Sequence, residues 1–330
     1  MTIYDIAKEA GVAASTVSRV INNKPGIRAE TRERVQALLK KYNFTPDVAA
    51  RGLVMQSSRI IGILMQDIRV EHHIDSAYLI EQEMTRHGYC CVTMSTGMTD
   101  EKKAQYIKIL EERRVEGAIL VGSMFATDKV EKSIQKHLAN IPVVIVNGYL
   151  DLPNVYGVTA DEEGGVRKCT EKMIAQGRKK LAFINDSDSP SNRKKLEGFK
   201  KAMADAGVSE ESLWFYQAGE SSLKGGFEAT SRVLAEHEDV QGIFYSIDLI
   251  AVGGIRALKA AGIDVPGQVS VAGVDNSLYG EICTPQLTTV DNRLIELSEA
   301  ASEILLAAIE GKACDHRRAF PTKIIEREST

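Results

Sequence analysis

Cysteine and aromatic residues are scarce in this chain, and long apolar runs are missing. Its 330 residues include five cysteines, and phenylalanine, tryptophan and tyrosine together make up 6%. The cysteines are odd in number and lack the C-x-x-C spacing of metal sites, so the sequence predicts reduced, mostly buried thiols and no disulfide framework. They are Cys90, Cys91, Cys169, Cys283 and Cys314.

No apolar run has the length that a membrane helix needs, about 20 residues. None follows Met1 as it would in a signal peptide. The sequence therefore predicts a cytoplasmic protein that does not contact the membrane.

The signatures of common enzyme classes are also missing. The chain has no P-loop, no G-x-G-x-x-G after a strand and no G-x-S-x-G. These absences argue against an enzyme, and we expect no cofactor.

A metal site is considered at His72 and His73, which have Glu71 and Asp75 as neighbours. Adjacent histidines point in different directions on most backbones, and no H-E-x-x-H motif or cysteine partner accompanies them. We therefore expect no metal. Contact with a ligand and an exposed loop remain the two interpretations of this pair.

Length and charge indicate a protein of at least two parts. A chain of 330 residues is too long for one compact core. Residues 1–58 carry nine lysines and arginines against five acidic residues, whereas the remainder carries 32 against 40. A basic arm on an acidic body is typical of a protein in which one module contacts phosphates and the other does not.

The first ten residues predict a short capped helix, which ends at a turn. Thr2 and Asp5 have the spacing of a capping box, and apolar residues follow at helical spacing up to Ala10. Gly11 then suits a turn with positive φ.

A second short helix follows, with Val17, Val20 and Ile21 on its inner face. A third helix, about residues 29–42, closes a small core. The outer face of the second helix offers small side chains that allow close approach to a groove, together with hydroxyl, amide and arginine groups that suit phosphates and base edges. Those outward residues are Ala14, Ser15, Thr16, Ser18, Arg19 and Asn22.

This segment resembles the DNA-binding domain of the lactose-repressor (LacI/GalR) family. The matching residues are Thr2–Ala7, Ala10–Val12, Thr16–Asn22, Thr31–Arg32, Tyr42, Pro46 and Val48–Leu53. Ala13 departs from the pattern, because the family has serine there and a phosphate contact is lost. The DNA contacts predicted from the outward face and this resemblance are Thr2, Tyr4, Ala14, Ser15, Thr16, Ser18, Arg19, Asn22, Thr31, Ala50 and Leu53.

Residues 46–58 form a linker with two interpretations. Pro46 fits the first position of a helix, but the two turns that could follow are marginal alone in water. A flexible linker is one interpretation. The resemblance implies the other, a hinge helix that folds when two subunits and DNA come together, with Leu53 wedged into the minor groove.

From Arg59 onward, short apolar strands alternate with helices, which predicts parallel sheets covered on both faces. Predicted strands include residues 60–65, 117–121, 181–184, 242–245 and 269–274, and a loop at Arg69–His73 precedes a helix over 77–87. The fold class is thus an α-helical helix-turn-helix head and an α/β body of two doubly wound lobes, which the resemblance implies to be periplasmic-binding-protein-like. The predicted domains are 1–45, 46–58 and 59–330, with an N-lobe of about 59–160 and 292–320 and a C-lobe of about 161–291 and 321–330.

Ligands of such folds bind beyond the carboxyl ends of the strands, in the cleft between the lobes. Carboxylates and amides at those positions suit sugar hydroxyls. The resemblance also implies a role for Asp275 and for a basic residue before Gly198, where the family has arginine and this chain has Lys195 and, nearby, Arg193. The predicted effector contacts are Asp67, His73, Ser123, Phe125, Asn147, Asp161, Arg193, Lys195, Asp248 and Asp275.

Two departures affect that pocket. The family commonly has Asn-Pro-Phe after the first strand, where this chain has Arg69–His73, and Ser221 stands where an aromatic residue is frequent. We therefore expect a pocket whose shape differs from that of familiar sugar and purine repressors.

The resulting hypothesis is a sequence-specific transcriptional regulator that binds a palindromic operator as a homodimer and responds to a sugar or sugar derivative in the interlobe cleft. A repressor is favoured over an activator, because an operator-bound dimer blocks polymerase without needing a contact surface. The alternative is a periplasmic-type sugar-binding protein without DNA function, and it leaves residues 1–53 unexplained.

Overall fold

The computed structural model describes residues 2–21, 23–44 and 57–330. The chain divides into two compact units, Met1–Arg59 and Ile60–Thr330, which we call the head and the body.

The described part of the head contains three helices, α1 (Ile3–Ala10), α2 (Ala14–Ile21) and α3 (Ala29–Lys41). The capping box is confirmed, since the Thr2 hydroxyl accepts from the Asp5 amide and the Asp5 carboxylate accepts from the Thr2 amide at 2.7 Å. Gly11 ends α1 with φ +63°, as predicted.

The three helices share one small apolar core, in which Ile6, Val17 and Val35 are fully buried. Two polar links tie the elements together at the surface. The Arg32 guanidinium donates to the Asn23 side chain and to the Lys24 carbonyl, each at 2.7 Å, and it thereby holds the turn after α2.

The body alternates strands and helices, as the apolar pattern predicts. Its strands are β1 (Ile60–Met65), β2 (Cys90–Ser95), β3 (Gly117–Val121), β4 (Val143–Val146), β5 (Val155–Ala160), β6 (Leu181–Asn185), β7 (Trp214–Gln217), β8 (Gly242–Tyr245), β9 (Ser270–Val274), β10 (Thr288–Asp291), β11 (Arg317–Phe320) and β12 (Lys323–Ile325). Its α-helices are α4 (Glu71–Arg86), α5 (Asp100–Glu112), α6 (Asp128–His137), α7 (Glu162–Ala175), α8 (Pro190–Asp205), α9 (Leu223–Glu236), α10 (Asp248–Ala260), α11 (Leu278–Ile282) and α12 (Leu294–Ile309).

The strands form two six-stranded sheets, one in each lobe. Their orders are β11-β5-β4-β3-β1-β2 and β12-β10-β9-β8-β6-β7. The predicted parallel pairing is confirmed throughout except for β12, which runs antiparallel to β10. In each sheet the strand order reverses beside the first strand of the lobe, and such a reversal opens a crevice at the carboxyl ends.

Each sheet is covered on both faces. Apolar residues of α4 and α12 pack on one face of the first sheet, and those of α5 and α6 pack on the other. In the second sheet, α9 and α10 cover one face, and α7 and α8 cover the other. Continuous apolar strands such as Gly117–Val121 are fully buried, because water reaches neither face.

Two details of the sequence analysis are wrong. The predicted loop at Arg69–His73 ends at Val70, because α4 begins at Glu71, six residues before the predicted start. The acidic side chain of Glu71 favours this start, since it faces the positive end of the helix dipole. The thiols are also less buried than expected, because Cys169 is buried but Cys90 is exposed.

Within the described ranges, none of the helices combines the length and the apolar character that a bilayer crossing requires.

Candidate DNA-binding helix and interlobe cavity

Helix α2 presents a polar face to solvent because its apolar residues are buried. Val17 and Val20 lie in the head core, whereas Ser15 and Arg19 are exposed. Ala14, Thr16 and Ser18 are half-buried. The buried pair fixes the orientation of the helix, so the exposed side chains project from a rigid support.

The other predicted DNA contacts occupy varied positions. Thr2 caps α1, and Tyr4 is 73% exposed beside it. Thr31 is half-buried in α3. Asn22, Ala50 and Leu53 lie outside the described residues, so the hinge helix and its wedge stay predictions.

A cavity of about 780 Å³ lies between the two lobes of the body, large enough for a small molecule. The first lobe contributes the loop after β1 and the start of α4 and α12. The second lobe contributes Ser221, the start of α10 and the segment from Asp275 to Tyr279. Its lining is Asp67, Arg69, Val70, Glu71, His72, Asp75, Glu220, Ser221, Ile247, Leu249, Asp275, Asn276, Ser277, Leu278, Tyr279, Glu281, Asp291, Leu294, Ile295 and Glu296.

Two predicted effector contacts, Asp67 and Asp275, line this cavity. Two more lie directly behind the lining. Lys195 is 3% exposed and acts electrostatically on Asp275, and the buried Asp248 accepts from the Ser277 amide at 2.8 Å. The structure thus brings four predicted residues to one site.

Ser123 has a different position, at the contact between the lobes. Its hydroxyl oxygen accepts from the Ser191 amide of α8 at 3.2 Å. A second contact joins Glu71 to α11, because the Leu278 amide donates to Glu71 Oε1 at 3.4 Å. These two bonds link the lobes on either side of the cleft.

The remaining predicted contacts are not in the cavity lining, and each has a structural partner. Phe125 is fully buried in the first-lobe core, and His73 Nδ1 lies 3.2 Å from the Asp67 carbonyl oxygen. Asn147 accepts from the Ala160 amide, Asp161 caps α7 through the Gly164 amide, and the exposed Arg193 pairs with Asp188.

A buried ion pair lies at the centre of the second-lobe wall. Lys195 Nζ donates to the Ser246 carbonyl at 3.0 Å and lies 3.6 Å from Glu162 Oε1. Burial lowers the pKa of Lys195, but the carboxylates of Glu162, Asp275 and Asp186 outweigh it, so the pKa is raised and the ammonium stays charged.

Burial also controls the acids beside this pair. It raises the pKa of Asp275 to about 7, with Lys195 lowering it and Glu162 raising it, and it raises the pKa of Asp248 to about 8. Burial and then Lys195 lower the pKa of His72 to about 4, so this imidazole is neutral near pH 7.

Several residues of the site were missed by sequence reasoning. Glu162 follows a predicted residue, Asp161. The sequence at the start of a helix does not indicate which of two adjacent acids is buried. Lys103 is fully buried, and its ammonium donates to the Met124 carbonyl at 2.7 Å, which holds the turn that carries Ser123. Nothing in its sequence neighbourhood distinguishes it from the exposed lysines of α5.

The histidine pair does not form part of a metal cluster. Among the described residues, no group of three or more histidine, cysteine, aspartate or glutamate side chains is arranged to hold a metal ion.

Comparison with known families matches both units. A family of "Bacterial regulatory proteins, lacI family" matches residues 2–47, and a "Periplasmic binding protein-like domain" matches residues 170–330.

Full-length relatives carry names of regulators. An "HTH-type transcriptional regulator" of Lachnoclostridium phytofermentans is 31% identical, with the alignment covering 100% of this chain and 99% of the relative. A "Ribose operon repressor" of Halalkalibacterium halodurans is 30% identical over 100% of this chain and 97% of its own length.

The fold is shared with a solved repressor. A crystal structure of the lac repressor dimer bound to operator and the anti-inducer ONPF superimposes with a TM-score of 0.90 and 24% sequence identity, over 100% of this chain and 98% of that one. The predicted fold class, a helix-turn-helix head with a two-lobed α/β body, is confirmed.

Proposed function

Because the chain belongs to the lacI family of bacterial regulatory proteins and is a DNA-binding transcriptional regulator, we propose that it is a homodimeric repressor whose hold on a palindromic operator is set by a small effector between its lobes. The observation that carries this proposal is the exposed polar face of α2, held on a buried core, in the same chain as a polar interlobe cavity.

Helix α2 is the proposed recognition helix. Ser15 and Arg19 are exposed on it, and an arginine can donate two parallel hydrogen bonds to the edge of a guanine. One such helix reads a few base pairs, so a two-fold symmetric dimer on a palindrome doubles the recognised sequence. Relatives named as repressors favour repression as the outcome.

The interlobe cavity is the proposed effector site. Two hydrogen bonds join the lobes, one between Ser191 and Ser123 and one between Leu278 and Glu71. Because hydrogen bonds require short distances, both depend on the angle between the two lobes. A ligand that contacts both walls shifts that angle and, through it, the geometry of the dimer. Asp67, Asp275 and Lys195 are the proposed polar residues that determine effector binding. The proposed location of the protein is the cytoplasm, where its DNA lies.

A mobility-shift titration tests the DNA-binding part. The operator is first recovered from a library of randomised duplexes, and its half-sites are expected to be inverted repeats. Arg19→Ala is then expected to weaken operator binding by about 1–3 kcal/mol per guanine contact, with a much smaller effect on random DNA.

Arg113→Ala serves as the control, because this substitution removes the same charge from an exposed arginine of the body, after α5. Equal losses on operator and random DNA, or recovery of sites without two-fold symmetry, would contradict the proposal.

A further inference from the structure

The interlobe cavity is strongly acidic. Eight of its lining residues are carboxylates, whereas its basic residues are Arg69 and the neutral His72. Arg69 is itself paired, because its guanidinium donates to both carboxylate oxygens of Asp67. A ligand in the cavity therefore faces mostly negatively charged side chains.

Some of these carboxylates have their own counter-ions. Asp67 pairs with Arg69, Glu281 pairs with Arg327 at 3.2 Å, and Glu296 pairs with Arg293. The other five do not. Within the described part of the chain, no lysine or arginine nitrogen lies within 4 Å of the carboxylates of Glu71, Asp75, Glu220, Asp275 or Asp291.

Lys195 does not offset this charge. Its ammonium is shared by Glu162, Asp275 and Asp186, and one of its hydrogens is used by the Ser246 carbonyl. Three acids around one lysine leave the second-lobe wall negative as well.

The unsatisfied buried atoms at the site are mostly acceptors. Glu162 and Asn292 are 1% and 2% exposed, yet Glu162 Oε2 and Asn292 Oδ1 have no hydrogen-bond partner among the described residues. Glu71 Oε2, in the cavity wall, is buried and has no partner in this part of the chain either. Asn292 is adjacent to the cavity, because its amide nitrogen donates to Asp275 Oδ1 at 2.9 Å. An unpaired buried acceptor is costly, so a ligand in the cavity that donates to Glu71 gains affinity.

Building on the proposed function, we infer that the effector is a polyhydroxylated molecule with a protonated amine, the class of the amino sugars, and that the cavity excludes phosphorylated and carboxylated sugars. Glu71 is the residue that binds the ammonium, because it lines the cavity and combines an unpaired buried oxygen with the lack of a basic partner among the described residues. Hydroxyls of the ligand donate to Asp275, which also lines the cavity. A phosphate in the same position faces carboxylates on both walls and is repelled.

Calorimetry on the full-length protein at low salt tests this inference with matched sugars. Each set contains a neutral hexose, its 2-amino-2-deoxy form and its 6-phosphate, in the gluco, galacto and manno configurations. In at least one set, the amino sugar is expected to bind at least about tenfold more tightly than the neutral hexose, the size of one charge-assisted hydrogen bond. The phosphates are expected not to bind.

The variant Glu71→Gln isolates the charge, because it keeps the shape and one acceptor oxygen. It is expected to bring the ratio of amino-sugar to neutral-sugar affinity close to one, while thermal melting shows that the fold is retained. Glu211→Gln is the control, since Glu211 is exposed outside the cavity lining, and its ratio should match the parent protein.

Three results would overturn the inference: a phosphate that binds, a neutral hexose that binds as tightly as its amino form, or no binding by any amino sugar. Operator affinity measured with each ligand keeps the two proposals separate. A neutral sugar that binds as tightly as its amino form and shifts operator affinity supports the proposed regulator and contradicts the amine inference. An amine preference without any effect on operator affinity supports the amine inference and contradicts the proposed response to an effector.

Discussion

At the scale of single residues, the body buries ionisable groups inside hydrogen-bond networks. Asp248 is fully buried at the start of α10, where it accepts from the Thr289 hydroxyl at 2.6 Å and from the Ser277 amide and hydroxyl. These bonds do not compensate fully for burial and for the nearby Asp275, and the pKa of Asp248 is raised to about 8. A carboxyl that is protonated when folded and ionised when unfolded makes stability depend on pH.

The sign of this dependence follows from the raised pKa. Between the unfolded value of 3.8 and about 8, the folded state binds the proton more tightly. The contribution of Asp248 to stability is therefore complete below about pH 4 and declines as pH rises through 8, with a slope of at most about 1.4 kcal/mol per pH unit. Asp275, with a pKa of about 7, acts in the same direction.

We expect Asp248→Asn to reduce this slope, because an amide fits the same network without ionising. The free energy of unfolding of both proteins, measured in urea through the fluorescence of the single tryptophan, Trp214, should converge near pH 4 and separate in favour of the variant by pH 8. Parallel curves across this range would show that Asp248 does not titrate there.

At the scale of elements, the second lobe packs its helices unusually closely. Gly226 of α9 faces α10, where an added Cβ would lie 2.0 Å from the Ile250 carbonyl oxygen. Gly253 of α10 faces α9 in turn, where a Cβ would lie 2.2 Å from the Leu223 carbonyl oxygen. The two glycines form a reciprocal contact that brings the helix backbones together.

The variant Gly253→Ala tests this packing, because helix propensity alone predicts the opposite result. In an exposed helix, alanine in place of glycine stabilises by about 1 kcal/mol. Here the Cβ meets backbone that cannot rotate away, so we expect a net loss of about 1–3 kcal/mol in the free energy of unfolding. A more stable variant in urea unfolding would show that the helices can separate at no cost.

At the scale of the whole molecule, the body exposes apolar residues on two neighbouring helices. Tyr78 of α4 is 61% exposed, and Ile282 of α11 is 68% exposed. The start of α4 contacts the start of α11 through Glu71 and Leu278, so the two helices are neighbours. Exposed apolar residues on neighbouring helices are typical of a protein–protein interface.

If these two helices form the interface of the proposed homodimer, Ile282→Asp and Tyr78→Asp should each convert the dimer to a monomer in sedimentation velocity at micromolar concentration. Burying a charge without a partner in an apolar interface costs several kcal/mol of the free energy of association, and this cost is expected to prevent dimerisation. Operator affinity is expected to fall with the dimer.

Phe215→Asp is the matched control, since Phe215 is 43% exposed on β7, at the edge of the second sheet away from α11. It should leave the dimer intact. Unchanged dimers in both interface variants would place the interface elsewhere.

The amino-acid sequence by itself determined the local elements and the family. Capping, φ > 0 at Gly11 and the inward valines of α2 depend on near neighbours, so they are readable from spacing. Strands such as Gly117–Val121 are apolar because both faces are covered, and this signal too is local. Two short strands with mixed burial, β11 and β12, were not predicted, because their pairing partners are distant in the chain and their own pattern is weak.

The site was decided by tertiary structure. Asp67 and Asp275 could be proposed from strand ends, since a parallel sheet brings those ends together. The charge of the cavity could not be predicted, because it depends on which acids meet a lysine or arginine that is distant in the chain. Glu281 meets Arg327, whereas Glu71 has no such partner among the described residues. The burial of Lys195 and Lys103 could not be predicted for the same reason. Each lysine meets its carboxylate or carbonyl partner only when the helices have packed, whereas similar lysines remain exposed to solvent.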